Sequence, residues 1–163
     1  FRVGHRGRAR EIGNHSLAGI APLWCAGTQD GYAPVGVEAR RFVGLWPGAA
    51  ILVCDAWIGP VRHPARTDLL IPDSWSPDDK GTLAFVQDDV RVEISVLAGR
   101  FGGCQPDRYW PRFGLEAPAN RVTLVPESFG DFRAVAFWLN WADPAAAPDA
   151  ATVASLFGRL VGS

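Results

Sequence analysis

Apolar and polar residues alternate along most of this chain, which is the two-residue period of a half-buried β-strand. The segment from Val35 to Leu45 alternates in this way, and Trp46-Pro47-Gly48 follows it with Pro and Gly placed as in a type II turn. Ala50 to Cys54 is then an almost continuous apolar run, which is typical of a strand covered on both faces. We therefore predict a β-hairpin that turns at Pro47-Gly48.

Two further strand pairs and several weaker strands follow from the same pattern. Thr82 to Val86 and Val90 to Leu97 flank Gln87-Asp88-Asp89, and the alternation in the second segment predicts a half-buried hairpin arm. Asn120 to Pro126 and Phe132 to Leu139 are predicted to pair around Ser128-Phe129-Gly130-Asp131. The weaker candidates are Phe1 to Glu11, Leu17 to Ala26, Thr67 to Ile71 and Cys104 to Trp110.

A helical period occurs only at the C-terminal end of the chain. Val153, Leu156, Phe157 and Leu160 fall on one helical face, and Asp149 can cap the helix that carries them. The sequence thus predicts an all-β fold, an antiparallel β-sandwich with a short C-terminal helix. We assign residues 1–141 to the sandwich and residues 142–163 to a Pro/Ala-rich linker and the helix.

Length, charge and composition narrow the class of protein. A chain of 163 residues can bury a core of its own. Its net charge of −1 is that of an ordinary globular protein and does not exclude a polyanion as ligand, because a balanced total can hide a local charged patch. Lys80 is the single lysine and no nucleic-acid-binding motif is present, so nucleic acid is not an expected partner. No apolar run is long enough to cross a bilayer, so a membrane is not expected either. The chain starts at Phe1 as if inside a strand, and we expect it to be a piece of a longer protein.

The sequence predicts no metal site, no cofactor and no complete catalytic site. His5, His15 and His63 lack metal-ligand spacing and paired carboxylates, and Gly99 to Gly103 lacks the lysine and helix of a phosphate loop. The three cysteines, Cys25, Cys54 and Cys104, form no CxxC pair. Buried small hydrophobic residues are the ordinary interpretation of such cysteines, and their disulfide state stays open.

Arginines and tryptophans supply the candidate binding residues. On a strand, Arg6, Arg8 and Arg10 project from one face, and three guanidinium groups suit carboxylate or sulfate ligands. A solvated or interdomain strand face explains the same stripe. Seven tryptophans would allow stacking on sugars, although most such rings fill a core. We place Trp57 and Trp138, which lie within strands, in the core or half in it; Trp75 and Trp110 lie near turns and are the better surface candidates.

Five short segments occur in an order and spacing that resemble the C-terminal β-sandwich domain of heparinase II/III-type polysaccharide lyases. The resemblance extends from Phe1 to Trp141. Its segments are Phe1-Arg2-Val3-Gly4, Asp30-Gly31-Tyr32, Gly36-Val37-Glu38-Ala39-Arg40-Arg41, Ile51-Leu52-Val53-Cys54-Asp55 and Tyr109-Trp110-Pro111-Arg112-Phe113-Gly114.

The resemblance implies a lyase that cleaves uronic-acid-containing polysaccharide by β-elimination in the periplasm or outside the cell. In that family the C5 carboxylate is neutralised, a Tyr or His base removes the C5 proton, and an acid protonates the leaving oxygen. The catalytic groups would lie in an α-helical toroid domain or partner chain upstream of Phe1, so this chain alone is expected to be inactive. Its own contribution would be binding of the anionic polysaccharide by Arg6, Arg8, Arg10 and Tyr32. A packing role with a hydrogen-bonded hydroxyl is the alternative for Tyr32.

Two positions depart from the family pattern. Some members have a metal-binding histidine just before the paired arginines, where this chain has Ala39. Asn14-His15-Ser16 resembles the family's catalytic segment but falls after Phe1-Arg2-Val3-Gly4 rather than before it, so no catalytic role is transferred to His15. Two other classes of function remain open: a non-catalytic carbohydrate-binding or assembly module, and a subunit held in a larger complex by an apolar face.

Overall fold

The chain folds into two antiparallel β-sheets and one helix. The computed structural model describes residues 9–11, 19–60, 64–77, 83–142 and 147–162. A 3₁₀ turn occupies Ala33–Val35. The strands and the helix are β1 (Ala9–Glu11), β2 (Leu23–Gln29), β3 (Glu38–Trp46), β4 (Ala50–Ile58), β5 (Thr67–Pro72), β6 (Ser76–Pro77), β7 (Ala84–Gln87), β8 (Val90–Ala98), β9 (Arg100–Arg112), β10 (Leu115–Val125), β11 (Glu127–Phe129), β12 (Phe132–Asn140) and α1 (Ala150–Gly162).

The described strands form a large sheet and a small one. The large sheet has nine strands, in the order β1-β2-β3-β4-β12-β8-β7-β6 with β11 paired to β12. The small sheet has the order β5-β10-β9. An apolar core, which includes Val53, Phe137 and Leu124, lies between the two sheets. The predicted all-β sandwich with a C-terminal helix is therefore confirmed.

The first predicted hairpin is confirmed with its turn. β3 pairs with β4 from Trp46↔Ala50 to Glu38↔Ile58. The Ala49 N–H donates to the Trp46 carbonyl at 3.0 Å, and Gly48 has a φ of 76°, as the third position of a type II turn requires. The hairpin of β7 and β8 around Asp88-Asp89 is confirmed as well.

The third predicted hairpin is wrong, because its two strands lie in different sheets. β10 pairs with β5 and β9 in the small sheet, whereas β12 pairs with β4, β8 and β11 in the large one. The chain crosses from the large sheet to the small one at Gly99 and returns to the large sheet at Pro126, and these two crossings lie side by side. A Cβ on Gly99 would lie 2.6 Å from the Val125 carbonyl oxygen, so only glycine fits, and Pro126 has no N–H with which to continue the ladder of β10.

The large sheet is covered on both faces at its centre. Leu52, Cys54 and Ala56 of β4 point toward α1, and Val53 points toward the small sheet. Alternation on β12 places Trp138 in the helix-side core, where it is 2% exposed and lies edge to face with Trp46 at 4.8 Å. The doubly covered strand predicted from the run Ala50 to Cys54 is confirmed, and so is the buried position of Trp138.

The cysteines and the remaining tryptophans only partly match the expectation. All three cysteines are free; Cys54 is buried, which raises the pKa of its thiol, whereas Cys25 and Cys104 are exposed. Trp110 is exposed as predicted, but Trp75 is half-buried against the core between the sheets. Solvent exposure near a turn therefore depends on which sheet face the turn meets.

Side chains cap the helix α1 at both ends. The Thr152 N–H donates to Asp149 Oδ1 at 2.7 Å, so the predicted N-cap is present. At the other end, Arg40 Nη1 donates to the carbonyls of Leu160 and Val161, at 2.7 and 3.2 Å. A cation at a helix C-terminus also complements the helix dipole. The division of the chain after residue 141 stays a prediction, and residues 143–146 lie outside the described residues.

The Asp149 cap predicts an acid-sensitive helix start. The backbone N–H of Thr152 lowers the pKa of the Asp149 carboxyl, so the charged form stabilises the folded state. This contribution is present above the pKa of Asp in the unfolded chain and is lost as the pH falls through the lowered folded value. Asp149→Asn keeps a capping oxygen but cannot titrate. We expect wild type to melt at a higher temperature than this variant at neutral pH, and the difference to disappear in acid; a difference independent of pH would contradict the cap assignment.

Candidate functional site

A cleft of about 600 Å³ opens where the small sheet fails to cover the large one. The small sheet has three strands, and its core residues contact mainly β4, β12, β7 and β8. The same face of β1, β2 and β3 is left open to solvent. The cleft lies over these strands and is closed on one side by residues 66–68 at the start of β5.

Asp55 and Arg41 form the polar wall of the cleft. The register of β3 and β4 places Arg41 opposite Asp55. Arg41 Nε donates to Asp55 Oδ1 at 2.6 Å and Nη2 donates to Oδ2 at 2.8 Å, which is the two-bond arrangement that a guanidinium makes with a carboxylate. The Thr67 hydroxyl also donates to Oδ2. These bonds satisfy a carboxylate that is almost completely buried.

Arg41 is held in a fixed orientation with part of its guanidinium facing solvent. Its side chain is 59% exposed, although its partner Asp55 is 5% exposed. The hydrogen bond to Asp55 raises the pKa of Arg41. Nη1 has no hydrogen-bond partner among the described residues. Nη1, with its two N–H groups, and a permanent positive charge therefore remain available to a ligand in the cleft.

Arg40 and Arg41, adjacent in sequence, serve opposite faces of the sheet. Arg40 lies toward α1, where Nε contacts Glu38 Oε1 at 2.7 Å and Nη1 caps the helix. The ion pair with Arg40 lowers the pKa of Glu38. Since side chains alternate along a strand, a pair of arginines can supply one structural and one solvent-facing cation. Of these two arginines, Arg41 is the one that presents its guanidinium to the cleft face.

Arg66 adds a second exposed cation. Arg66 Nε lies 3.0 Å from Asp68 Oδ2, and its side chain is 56% exposed against 25% for Asp68. Asp68 also receives the Thr123 hydroxyl at 2.8 Å and lies 3.5 Å from Arg121 Nη1. At Arg41 and at Arg66 the carboxylate is the more deeply buried partner, so the guanidinium groups face the solvent. Glu11 of β1 is an exposed acid on the rim.

Tyr32 and Trp57 connect this cleft to a second cavity. That cavity measures about 540 Å³ and shares four lining residues with the cleft, namely Tyr32, Trp57, Arg66 and Asp68. We call these two adjoining cavities the groove. Tyr32 is 49% exposed at the start of the 3₁₀ turn, and its hydroxyl bonds to no described residue. Both interpretations of Tyr32, sugar binding and packing, stay predictions.

The structure places only part of the predicted arginine stripe. Arg6 and Arg8 lie outside the described residues. Arg10 is an exposed residue of β1 that lines the cleft, but it pairs with Thr28 and therefore belongs to the face that carries Arg40 rather than Arg41. The role of Arg6, Arg8, Arg10 and Tyr32 in binding stays a prediction, and the structure brings Arg10 and Tyr32 to the same cleft.

Sequence reasoning missed Arg41, Asp55 and Arg66. A signal for the first two was present, because counting five residues back from Trp46 and five forward from Ala50 aligns Arg41 with Asp55. Such an arginine-acid pair on one face of a hairpin is expected to form an ion pair. Arg66 gave no comparable signal, since β5 belongs to the other sheet and its approach to β4 depends on the packing of the two layers.

The cleft contains no evident metal site among the residues that the structure describes. No group of three His, Cys, Asp or Glu side chains is assembled there. Both oxygens of Asp55 are occupied by Arg41 and Thr67, and Ala39 on the same face has no ligand atom. His5, His15 and His63 all lie outside the described residues. Among the described helices, none is long and apolar enough to span a bilayer.

Comparison with known proteins gives a match in structure but not in sequence. No family model matches the chain, and no curated protein matches it. Two solved structures are similar: heparan sulfate lyase HepC from Pedobacter heparinus, with a TM-score of 0.61, and a mutant of that enzyme, with a TM-score of 0.62. Each is 17% identical to this chain over 87% of its length.

The chain spans 23% of the length of the lyase that it matches. An identity of 17% is informative about the fold alone. The resemblance to the heparinase II/III-type lyases is thereby confirmed at the level of fold: this chain has the fold of one part of a heparan sulfate lyase.

Proposed function

We propose that this chain is the C-terminal β-sandwich domain of a polysaccharide lyase that cleaves uronic-acid-containing polysaccharide by β-elimination. In this proposal the groove lined by Arg41, Arg66, Tyr32 and Trp57 holds acidic sugar units of the polymer. The observation that carries the proposal is a groove with two solvent-facing guanidinium groups on the fold of a heparan sulfate lyase part.

The chemistry of the groove suits an acidic glycan better than a neutral one. A guanidinium group offers parallel N–H donors that match the oxygens of a carboxylate or a sulfate. Arg41 is pre-oriented by Asp55, so a ligand would not need to immobilise it. The half-buried ring of Trp57 offers an apolar surface for a sugar face, and the hydroxyl of the half-exposed Tyr32 can donate to or accept from a sugar hydroxyl.

The groove by itself supports binding rather than catalysis. In β-elimination a base removes the C5 proton, electron density moves onto the neighbouring carboxylate, and the C4–O bond breaks as an acid protonates the leaving oxygen. Cations beside that carboxylate stabilise the developing charge. We assign this electrostatic role to Arg41 and Arg66 and leave base and acid to the remaining part of the longer polypeptide. The same proposal places the protein in the periplasm or outside the cell.

Glycan binding by this chain tests the groove. We expect immobilised heparan sulfate to retain the wild-type chain and neutral dextran not to retain it. Arg66→Ala and Tyr32→Phe should each weaken binding to heparan sulfate, by about tenfold for the arginine because it removes one charge-assisted contact. Arg100→Ala, an exposed arginine of β9, is the matched control and should bind as wild type does.

Two results of these binding and activity measurements would contradict the proposal. Equal loss from Arg66→Ala and Arg100→Ala would mean that overall charge, and not the groove, attracts the polymer. Lyase activity is measured as ultraviolet absorbance of unsaturated uronate, which the longer polypeptide should produce and this chain alone should not. Glycan binding without such activity in the longer polypeptide would favour a non-catalytic carbohydrate-binding module.

A further inference from the structure

The hairpin of β9 and β10 extends beyond the sandwich. Its strands pair from Arg100↔Val125 to Arg112↔Leu115, whereas β5 pairs with β10 only at residues 119–124. Residues 108–118, which we call the arm, therefore have no third strand beside them in the described sheet. A two-stranded ribbon is only marginally stable in water without a surface to pack on.

The arm exposes large apolar side chains. Trp110 is 65% exposed, Leu115 is 51% exposed, and Phe113 at the turn has essentially the exposure of an isolated residue. Gly114 completes the turn with a φ of 74°. These three exposed apolar side chains, which we call the patch, lie within six positions of the chain, and exposed apolar surface on proteins marks interaction sites.

The charges around the patch are arranged as at the rim of a protein interface. Arg108 Nη1 forms an ion pair with Glu116 Oε1 across the two strands. Arg112 makes no ion pair with any residue that the structure describes. The arm thus has an apolar centre, one satisfied ion pair and one available cation. Tryptophan and arginine are also the residues that contribute most to binding at protein interfaces.

A protein surface fits the arm better than a glycan does. A sugar needs hydrogen-bond partners beside each aromatic ring, and the patch offers Phe113 and Leu115, which have none. The one carboxylate of the arm, on Glu116, already accepts from Arg108. A pocket that is apolar inside and carries an acid at its edge would bury the patch and pair with Arg112.

We propose that the arm inserts into such a pocket on the remaining part of the polypeptide to which this domain belongs. This inference rests on the proposed function, because the occupant is the part of a lyase chain that this fold does not cover. The supporting observation is that this fold makes up 23% of the length of the heparan sulfate lyase chain, so a domain of such a chain has further polypeptide that can cover the arm. Phe113 and Trp110 of the arm are the two most exposed large apolar side chains among the described residues.

Hydrogen exchange tests the contact directly. We expect backbone amides of the arm to exchange at least about tenfold more slowly in the longer polypeptide than in this chain alone, since burial suppresses local opening. Phe113→Ser should abolish that protection and lower the melting temperature of the longer polypeptide. It should leave the melting temperature of this chain unchanged, because Phe113 makes little contact within its own domain. Val90→Ser, at another exposed apolar residue, is the control and should leave arm protection unchanged.

Two results of these experiments would overturn the proposal for the arm. Equal exchange of the arm in both proteins overturns the proposal. Concentration-dependent sedimentation of this chain that Phe113→Ser abolishes overturns it in favour of a second copy as the occupant. Glycan binding separates this proposal from the previous one, since Phe113→Ser should retain heparan sulfate binding and Arg66→Ala should retain arm protection.

Discussion

Phe157→Ala is expected to lower the free energy of unfolding by about 3–5 kcal/mol, the usual cost of removing a buried phenylalanine ring. Phe157 is 1% exposed on the inner face of α1, and its ring lies 5.5 Å from that of Phe129 and 6.2 Å from that of Phe132. The ring joins the helix to the strands β11 and β12. Its loss leaves a cavity that a sheet on one side and a helix on the other cannot close without moving.

Urea unfolding at neutral pH measures this effect. Ser155→Ala, on the exposed face of the same helix, is the control and should change the free energy of unfolding by no more than about 0.5 kcal/mol. A Phe157→Ala effect as small as that of the control would mean that the helix adds little to the stability of the sandwich. In that case residues 1–141 would be a domain that folds without α1.

Arg41→Ala is the second change with a large expected effect, about 3 kcal/mol of destabilisation. The substitution leaves the Asp55 carboxylate buried with a single hydroxyl donor, that of Thr67. Removing one partner of a buried ion pair costs about 3–5 kcal/mol, and we take the lower end because Arg41 itself is more than half exposed. The cost arises at Asp55, where little water reaches the charge.

A double-mutant cycle isolates this cause. Arg41→Ala combined with Asp55→Ala should be less destabilised than the sum of the two single variants, because no buried charge remains unpaired. Arg100→Ala controls for loss of a surface arginine. If Arg41→Ala unfolds at the same urea concentration as Arg100→Ala, the bond between Arg41 and Asp55 does not contribute to stability, and the pre-orientation that we assign to Arg41 lacks support.

The ion pair between Arg41 and Asp55 links the stability of the domain to the proposed binding. Arg66 has a less buried acid as its partner and lies just before the edge strand β5, so it can be replaced with less effect on folding. Binding experiments are therefore best made with Arg66 variants, and stability experiments with Arg41 variants. An Arg41 variant that folds would also bind less glycan, but misfolding would give the same result.

Local pattern was sufficient to predict most of the strands and the helix. The alternation in β3 and the apolar run in β4 identify the central hairpin, since side chains of a strand alternate between its faces and the turn residues set the register. The four apolar residues of α1 and the cap at Asp149 identify the helix in the same way. These patterns involve residues close in sequence, so they can be interpreted without knowledge of the rest of the fold.

The failed predictions concern residues whose neighbours are distant in sequence. β10 and β12 were predicted to pair because a turn separates them, yet Pro126 carries the chain into the other sheet. Trp75 follows a strand end and is nevertheless half-buried, because a second sheet lies over it.

By itself the sequence determined that the chain makes paired strands with one terminal helix, and its short motifs were enough to indicate the fold of a lyase part. Only the tertiary structure decided which strands share a sheet, and with that the existence of the cleft. The reason is that a cleft is the region one layer leaves uncovered on another. Its position depends on the number and extent of strands in the small sheet, and no local pattern of residues records how far a distant layer reaches.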